Sequence, residues 1–466
     1  MDYVKVLEKI SDYVKQDIDL SFYNKIKLWR DWYLGYVDGF HRYKQKINGK
    51  YVERKRYGLK IASKVCRDWA SILCNERTQI LIDDEKSNEF IQGKDGFGGI
   101  LGENNFWIQA NYLIEKAFAL GTSATDIYFE NLSVDEDGNV IKDGKAKAKI
   151  SYIVADNMIP LSWENGEIRE VAFVSNVFKK GKEYVYVRIH TLEDDGYVIK
   201  NRYFEKLKGG DLRQVPVPEG MLEEFRTKSF IKLFSIWKPN IVNTINLDSP
   251  LGISILDGIL DNLEGIDYAY DNLCQDFFLG GKMVFMNGTM FDKDDTPAVY
   301  SQESVFRVMG DAVLEGKNAY YEYNPLLRVD ENKKGIEAQL DYISLLVGFG
   351  TRHYRFSNNI IQTATEYNGE KQDLIHNAQK HNMIIEKAIY DIVKALLWFG
   401  KEILGLDVKV NANITFVPDK SYITDEESDR QFDLLLVKEG IMKKWEWRMK
   451  YYGESEEAAK KIIDET

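Results

Sequence analysis

The sequence predicts an α+β fold that is mainly α-helical. Three regions carry this prediction. Residues 363–404 repeat apolar side chains at spacings of three, four and seven, as one face of a long helix does. Residues 249–280 follow the same rule, whereas residues 126–237 read as short alternating segments separated by turn residues. The length of 466 residues allows roughly two to four domains.

The composition indicates a globular protein that is acidic overall. The formal net charge of -12 argues against a simple basic nucleic-acid binder. The three cysteines show no C-x-x-C spacing, which favours free thiols in a reducing compartment. The N-terminal MDYVKVLEKI lacks the apolar core of a signal peptide, and no run of about 18 uncharged apolar residues occurs. We therefore expect no membrane association.

The first 125 residues are predicted to be mainly helical. Residues 23–43 are rich in Trp and Tyr, which would suit either a base-stacking platform or an aromatic core or subunit contact. The second interpretation is favoured because the stretch is not uniformly basic. Residues 59–73 follow helical spacing, and Cys66 on or beside their apolar face is interpreted as a buried hydrophobe rather than a nucleophile.

Residues 126–237 are predicted to form an antiparallel β-rich region. Turn signals at residues 135–139, 165–166, 180–181 and 194–196 separate segments such as YVYVRIH. The spacing of Asp135, Asp137 and Asn139 resembles the start of a calcium loop. It lacks the glycine at the sixth position and the distal glutamate, so a hairpin turn is favoured.

The next helix is predicted to begin at Ser249 as N-cap with Pro250 in the first turn. Residues 239–281 contain seven acids and no Lys or Arg. Like charges at i,i+4 destabilise an isolated helix. A stripe that contains only acids therefore lowers helix stability, which favours a functional reason for its presence. An ordinary solvated acidic face is the alternative. The acids of this helix that are assigned to the stripe are Asp257, Asp261, Glu264, Asp267 and Asp271.

A compact segment and a further helix follow. Residues 284–286 and 304–309 are predicted to be short strands, and residues 331–350 a helix that ends at Gly348 and Gly350. The loop of residues 351–362 then carries Arg352, His353 and Arg355.

Residues 363–404 are predicted to be one very long helix, with Thr363 and Glu366 as a capping box and Gly405 as a left-handed C-cap. At about 1.5 Å per residue it would span roughly 60 Å, which points to a large assembly. Its many charged side chains exclude a membrane span. The alternative is an ordinary core helix broken near Gly369. Together with residues 249–280, it offers more apolar face than one subunit is expected to cover, which predicts a closed cyclic homo-oligomer.

The last 60 residues are predicted to contain a strand within residues 408–418 and three helices. Thr424 and Glu427 form a second capping box, Gly440 separates an aromatic helix, and Ser455 caps a short one.

The usual catalytic motifs do not occur in the sequence. Seven Gly-Lys pairs are present, but none is followed by Ser or Thr as a phosphate loop requires. There is no H-E-x-x-H and no G-x-S-x-G. His376 and His381 are five residues apart, on different faces of one helix, so they do not suit a shared metal. We therefore expect no enzyme activity, cofactor or metal.

Taken in order, several motifs resemble the portal (head–tail connector) proteins of tailed bacteriophages, of the type found in phages and prophages of Gram-positive bacteria. They are KVCRDWASILCNE, SPLGISILDGILDNLEGIDYAYDNLCQDFFLGGK, TATE at the head of the long helix, and GIMKKWEWRMKYYGESEEAAKKII. The resemblance covers nearly the whole chain. It implies a portal-like fold in which each region has a family name. The regions are a wing (1–249, β-rich in 126–237), a first stem helix (250–280), a clip (281–330), a second stem helix (331–350), a tunnel loop (351–362), a long wing helix (363–406) and a crown (407–466).

The resemblance also implies a ring, usually of twelve subunits, at one vertex of the capsid in the virion, assembled in the cytoplasm of the bacterial host. Double-stranded DNA would pass through its channel during packaging and ejection. The implied partners are the terminase large subunit, the head–tail adaptor, and the major capsid and scaffolding proteins.

On this interpretation, acids of the first stem helix would face the channel and repel phosphate, because each paired Lys or Arg adds affinity for DNA. Arg352, His353 and Arg355 would touch DNA transiently from a mobile loop at the constriction. The arginines would alternatively pair with acids of neighbouring subunits. Two other classes remain open: a different structural head or baseplate protein without a channel, and a nucleic-acid-processing enzyme.

Overall fold

The computed structural model describes most of the chain. The residues described are 3–47, 49–94, 98–135, 140–207, 211–281, 283–287, 305–308, 320–351, 353–354, 364–419, 426–438, 442–452, 459–461 and 463.

The N-terminal region is mainly helical, as predicted. Its helices are α1 (Tyr3–Val14), α2 (Leu20–Leu34), α3 (Ile61–Leu73), α4 (Glu85–Gln92), α5 (Gly99–Glu103) and α6 (Phe106–Leu120). The Asp19 carboxylate begins α2 by accepting hydrogen bonds from the backbone N–H groups of Ser21 and Phe22. Trp29 and Trp32 of α2 are buried in the core, which supports the structural interpretation of the aromatic stretch. Cys66 is also buried, as predicted.

The same region contains strands that the sequence analysis did not anticipate. Strands β1 (Arg42–Ile47) and β2 (Lys50–Lys55) form a two-stranded antiparallel hairpin. Strand β3 (Gln79–Ile82) pairs with β16 (Ile414–Val417), so the chain returns to its N-terminal region after the long helix. The predicted strand within residues 408–418 is thus shorter than expected, since residues 407–413 form turns and bends.

The β-rich region is antiparallel, as predicted. Its nine strands are β4 (Ser123–Glu130), β5 (Lys147–Val154), β6 (Met158–Glu164), β7 (Glu167–Lys179), β8 (Lys182–Glu193), β9 (Gly196–Lys206), β10 (Leu212–Val215), β11 (Glu224–Arg226) and β12 (Phe234–Trp237). One sheet has the order β12-β4-β5. The other has the order β10-β9-β8-β7-β6, with β11 also paired to β9.

Tight turns set the register of this region. Asn165–Gly166 and Lys180–Gly181 adopt positive φ at both residues, the conformation that two-residue hairpins favour. Val134 and Val140 form an isolated antiparallel bridge, as the legs of a hairpin do, although residues 136–139 between them lie outside the described residues.

The helix predicted to begin at Ser249 begins later. Helix α7 spans Leu260–Leu279, preceded by a 3₁₀ turn at Asp257–Ile259. The Ser249 hydroxyl accepts a hydrogen bond from Leu251 N–H in a local turn rather than capping a helix. The segment after it packs against α6 and β4: Gly252 N–H donates to the Thr122 hydroxyl at 2.8 Å, and Ile255 N–H donates to the Phe118 carbonyl. These tertiary bonds override the local capping signal.

The segment after α7 contains three short strands and a helix. Strand β13 (Met283–Asn287) pairs in parallel with β14 (Val305–Val308) and antiparallel with β15 (Tyr320–Tyr323). The first two strands were predicted, and the third was not. Helix α8 (Val329–Leu346) follows, and Gly348 and Gly350 after it adopt positive φ, as expected for a helix end.

Helix α9 spans Ala364–Trp398 and continues as a π-helical turn through Ile403. It passes through Gly369 without a break, so the alternative of a broken helix is wrong. Thr363 of the predicted capping box lies outside the described residues, whereas Gly405 has the predicted left-handed conformation (φ 72°).

The apolar stripe of α9 is buried throughout. It packs against β12, β16, β4, α3 and α4 of the same chain. The expectation that this stripe needs a second subunit is therefore wrong. Its members are Leu374, Ala378, Ile385, Ile389, Ile392, Leu396, Phe399 and Ile403.

The C-terminal helices are α10 (Glu426–Lys438) and α11 (Lys444–Tyr452), with residues 459–461 also helical. Asp433 joins α10 to α11 by accepting hydrogen bonds from Lys450 at 2.6 Å and from the Tyr451 hydroxyl at 2.7 Å. Thr424 of the second capping box lies outside the described residues. No helix in the described part of the chain combines the length and apolar character that a membrane span needs.

Candidate functional site

Helices α7 and α8 pack side by side and carry most of the predicted site residues. They run antiparallel, since Asn262 bonds Gln339 while Asp276, further along α7, bonds Arg328 and Asn332 at the start of α8. Each helix buries one apolar face. The buried residues are Leu263 and Ile266 of α7 and Ile336, Leu340 and Ile343 of α8.

A polar clamp closes the end of the pair where the chain leaves α7. Asp276 accepts hydrogen bonds from Arg328 Nη2 at 2.6 Å, from Arg328 Nε at 3.1 Å and from Asn332 Nδ2 at 2.9 Å. These bonds, that of Arg328 above all, hold the pKa of Asp276 below its usual value. A bidentate guanidinium–carboxylate pair fixes the relative orientation of its two partners. It therefore holds the end of α7 next to the start of α8.

The five predicted acids have different surroundings. Asp257 precedes α7 and accepts a hydrogen bond from Trp29 Nε1 at 2.9 Å, with Lys25 Nζ at 3.9 Å. Asp271 is half-buried and accepts from Tyr57 N–H at 3.0 Å. Both carboxylates therefore bind groups of their own subunit.

Asp267 is buried inside the subunit. One carboxylate oxygen lies 3.0 Å from His41 Nε2, and the other accepts from Leu59 N–H at 2.7 Å. His41 Nδ1 accepts from Val37 N–H, so Nε2 carries the proton and donates to Asp267. Burial raises the pKa of Asp267, against the effect of these hydrogen bonds. A buried carboxylate cannot present charge to a channel, so Asp267 is a positioning residue that anchors residues 37–59 to α7.

Asp261 and Glu264 are the two acids that remain exposed. They lie three residues apart, on the same face of α7 as Tyr268, which is also exposed. Helix α7 supplies two carboxylates and an aromatic ring to this face and no basic side chain of its own, although the Arg56 guanidinium lies over the Tyr268 ring. It is the part of the predicted acidic stripe that is available to a ligand or a channel.

Both helices also leave apolar side chains exposed. Phe278 at the end of α7 is 73% exposed, and Leu326 before α8 is 96% exposed. Tyr342, Leu345 and Leu346 near the end of α8 are exposed as well. Clusters of this kind are typical of surfaces covered by another protein.

The predicted basic loop is described only in part. Arg352 and Arg355 lie outside the described residues. The His353 ring stacks on Phe349 with 4.4 Å between centroids, and Phe349 in turn stacks on Trp69 of α3. Desolvation lowers the pKa of His353, although Asp68 opposes this, so the ring is neutral at neutral pH. The Tyr354 hydroxyl donates to Asp68 at 2.8 Å. At these two residues the segment is held against α3.

No chemistry that binds metal or activates a nucleophile emerges from the described residues. They contain no group of three or more His, Cys, Asp or Glu side chains that could hold a metal ion. All three cysteines are free thiols, and burial raises the pKa of Cys66 far above its usual value, which makes it a poor nucleophile.

Two charged features were missed by sequence reasoning. Asp126, Arg188 and His190 form a buried cluster in the β-rich region, with His190 Nε2 3.0 Å from Asp126 Oδ1. No local pattern indicates it, because the partners are 64 residues apart. The β1–β2 hairpin has a signal that was not used: the pair Asn48–Gly49 between two alternating segments.

These features define an α/β chain with a packed pair of helices, α7 and α8. The sequence profile described as "Phage portal protein, SPP1 Gp6-like" matches residues 12–465. The chain therefore belongs to this family of phage portal proteins, as its motifs predicted, and is a virion component of the head–tail connector class.

Among solved structures, 58 chains match. One comes from the structure described as "Neck of native GTA particle computed with C12 symmetry". It shares 11% sequence identity, with a TM-score of 0.37, over 84% of this chain and 88% of that chain. No curated protein sequence matches.

Proposed function

We propose that this chain is the subunit of a portal ring, usually a dodecamer in this family, at one vertex of a phage capsid. The ring forms the channel for DNA packaging and ejection. It also serves as the platform for the terminase large subunit and the head–tail adaptor within a shell of major capsid and scaffolding proteins. The family match over nearly the whole chain carries this proposal.

The regions follow the family plan with the helix bounds found above. Helix α7 is the first stem helix, α8 the second, and the strands β13–β15 belong to the clip. The wing precedes α7, residues 351–362 form the tunnel loop, α9 is the long wing helix, and residues 407–466 form the crown. The exposed apolar side chains of α7 and α8 support subunit contacts along the stem, in place of the α9 stripe, which the subunit covers itself.

The exposed face of α7 supports a channel wall of low affinity for DNA. Asp261 and Glu264 repeat around the ring and repel phosphate, whereas cations there would release counterions and hold the DNA. We narrow the channel-facing set to these two acids, since Asp257, Asp267 and Asp271 bind groups of their own subunit. Arg352 and Arg355 then supply brief phosphate contacts from the tunnel loop.

A packaging assay tests this function. Particles assembled with the Arg352→Ala/Arg355→Ala chain are expected to contain the ring but to fill with DNA, or to retain it, less well than wild type. The matched control is Lys179→Ala/Lys180→Ala, which removes two exposed cations from the β7–β8 turn. If particles with the arginine variant fill and retain genomes at the wild-type level, the loop has no such role.

A further inference from the structure

The β1–β2 hairpin is a strongly basic arm whose charged side chains are all exposed. It carries six cations and a single acid, Glu53. Within the described part of the chain, none of the six forms an ion pair with an acid. They are Arg42, Lys44, Lys46, Lys50, Arg54 and Lys55, and all are exposed.

The register of the hairpin brings one pair of like charges together, whereas Lys44 lies opposite the single acid, Glu53. Arg42 lies directly opposite Lys55 on one face, and Lys46 lies opposite Tyr51, which is 71% exposed. Like charges directly opposite each other destabilise a strand pair. An isolated two-stranded hairpin is in any case only marginally stable in water, and among the described strands neither β1 nor β2 has a second neighbour. Glu53 offsets only one of the six cations, so the hairpin keeps a large positive charge.

The root of the hairpin is nevertheless firmly placed. The Arg56 guanidinium lies 4.2 Å from the ring centroids of both Phe40 and Tyr268. Asp267 and Asp271 of α7 bind the backbone that follows, at Leu59 and Tyr57. An anchored root beside α7 positions the arm for a defined partner surface.

The root and α8 lie on opposite flanks of α7. Asp267, which binds the root, and Asn262, which binds α8, are five positions apart, or roughly 140° around the helix at about 100° per residue. The exposed face with Asp261 and Glu264 lies in the wider arc of roughly 220° between them, whereas the narrower arc holds the buried Leu263 and Ile266. In a cyclic ring the contacts are heterologous, so one flank of each subunit meets the opposite flank of the next.

The outer face of α8 has the matching chemistry. The exposed Asp330 and the half-buried Glu337 and Asp341, at spacings of seven and four, form a stripe on this face, and the exposed Glu331 lies next to it. Lys334 shares the stripe, and Lys333 lies 3.8 Å from Glu337, so the helix remains net acidic. Exposed Tyr342 and Leu345 border it, which complements the exposed Tyr51 and Val52 of the hairpin.

We propose that the basic hairpin, residues 42–55, docks on the outer acidic face of α8 in a second copy of this chain, the next subunit of the ring. The proposal rests on the proposed ring. DNA is the less suitable occupant, because six cations per subunit beside the channel would hold the DNA through counterion release and stop its passage.

Charge reversal and charge swapping test the docking. At low salt, the concentration at which half of the Lys44→Glu/Lys46→Glu chains are in rings is expected to be about tenfold higher than for wild type. This corresponds to a loss of about 1.4 kcal/mol of association free energy per subunit contact. Adding Glu337→Lys/Asp341→Lys to the same chain restores assembly. The control Lys179→Glu/Lys180→Glu makes the same charge change on the β7–β8 hairpin and leaves assembly unchanged. Mass photometry and end-on electron micrographs give the readout.

A cross-link tests the contact independently of stability. In a Cys274→Ser background, Lys44→Cys with Asp341→Cys should give a ladder of covalent oligomers on mild oxidation. Each single variant, and Lys180→Cys with Asp341→Cys, should not.

The outcomes separate this proposal from the proposed function. A wild-type chain that stays monomeric at every concentration overturns both. If the Lys44→Glu/Lys46→Glu chain assembles as well as wild type and the Lys44→Cys/Asp341→Cys chain does not cross-link, the docking is overturned but the ring is not. Normal rings that lose affinity for a DNA duplex on charge reversal identify DNA as the occupant, which also overturns the docking.

Discussion

Replacing Asp267 by alanine tests whether this acid of α7 anchors the root of the basic hairpin. The substitution removes the acceptor for His41 Nε2–H and for Leu59 N–H. Each buried donor left without a partner costs about 1–3 kcal/mol, so with two donors the free energy of unfolding should fall by about 2–6 kcal/mol. Asp261→Ala on the same helix is the matched control. Its carboxylate is exposed, so its change should stay within about 0.5 kcal/mol.

The assay is urea unfolding followed by tryptophan fluorescence, at a concentration where the chain is unassembled. A double-mutant cycle with His41→Ala isolates the side-chain bond, and the coupling should be at least about 0.5 kcal/mol because the two groups are in contact. The anchoring role is refuted if Asp267→Ala and Asp261→Ala lower the free energy of unfolding equally, or if the effects of Asp267→Ala and His41→Ala simply add. Either result would mean that the carboxylate of Asp267 contributes no more to stability than an exposed acid does.

Three further predictions concern the packing of α9. Desolvation raises the pKa of Glu167, but the hydrogen bonds from Lys232 and Lys387 outweigh it and lower this pKa from 4.5 to about 2. The stability that these bonds contribute should therefore be lost as the pH falls from about 4.5 through about 2. Glu167→Gln should lack this part of the acid dependence in thermal melts between these pH values, and an unchanged profile would contradict the pairing. Ile389→Ala should cost about 2–5 kcal/mol in urea unfolding, because it leaves a cavity in the core, whereas Met383→Ala, at a side chain 66% exposed, should cost far less. Burial lowers the pKa of His381 to about 3, and its Nδ1 accepts from Asn240 N–H, so its ring signals in NMR should not titrate between about pH 7.5 and 5, where an exposed histidine would.

The stripe of α9 shows what the sequence can predict. Its apolar spacing is a local property of one helix, and the side chains from Leu374 to Ile403 are buried accordingly. The turns at Asn165–Gly166 and Lys180–Gly181 are equally local, since the backbone of two residues sets the hairpin.

Features that depend on distant partners could not be predicted. Asp267 looks like any other acid of α7 in the sequence, but His41, which binds it, is 226 residues away. The start of α7 was misplaced for the same reason, since bonds to Thr122 and Phe118 hold the residues after Ser249 out of the helix. Covering of the α9 stripe by β16 and α4 likewise depends on tertiary packing, so the sequence could not show that the subunit itself buries this stripe.

End-on electron micrographs of the purified chain test the portal ring most directly. Closed rings with a central hole are expected, and averaged images should place α7, with Asp261 and Glu264, at the edge of that hole. The proposed ring would be contradicted if the chain is a stable monomer both at micromolar concentration in solution and in assembled particles.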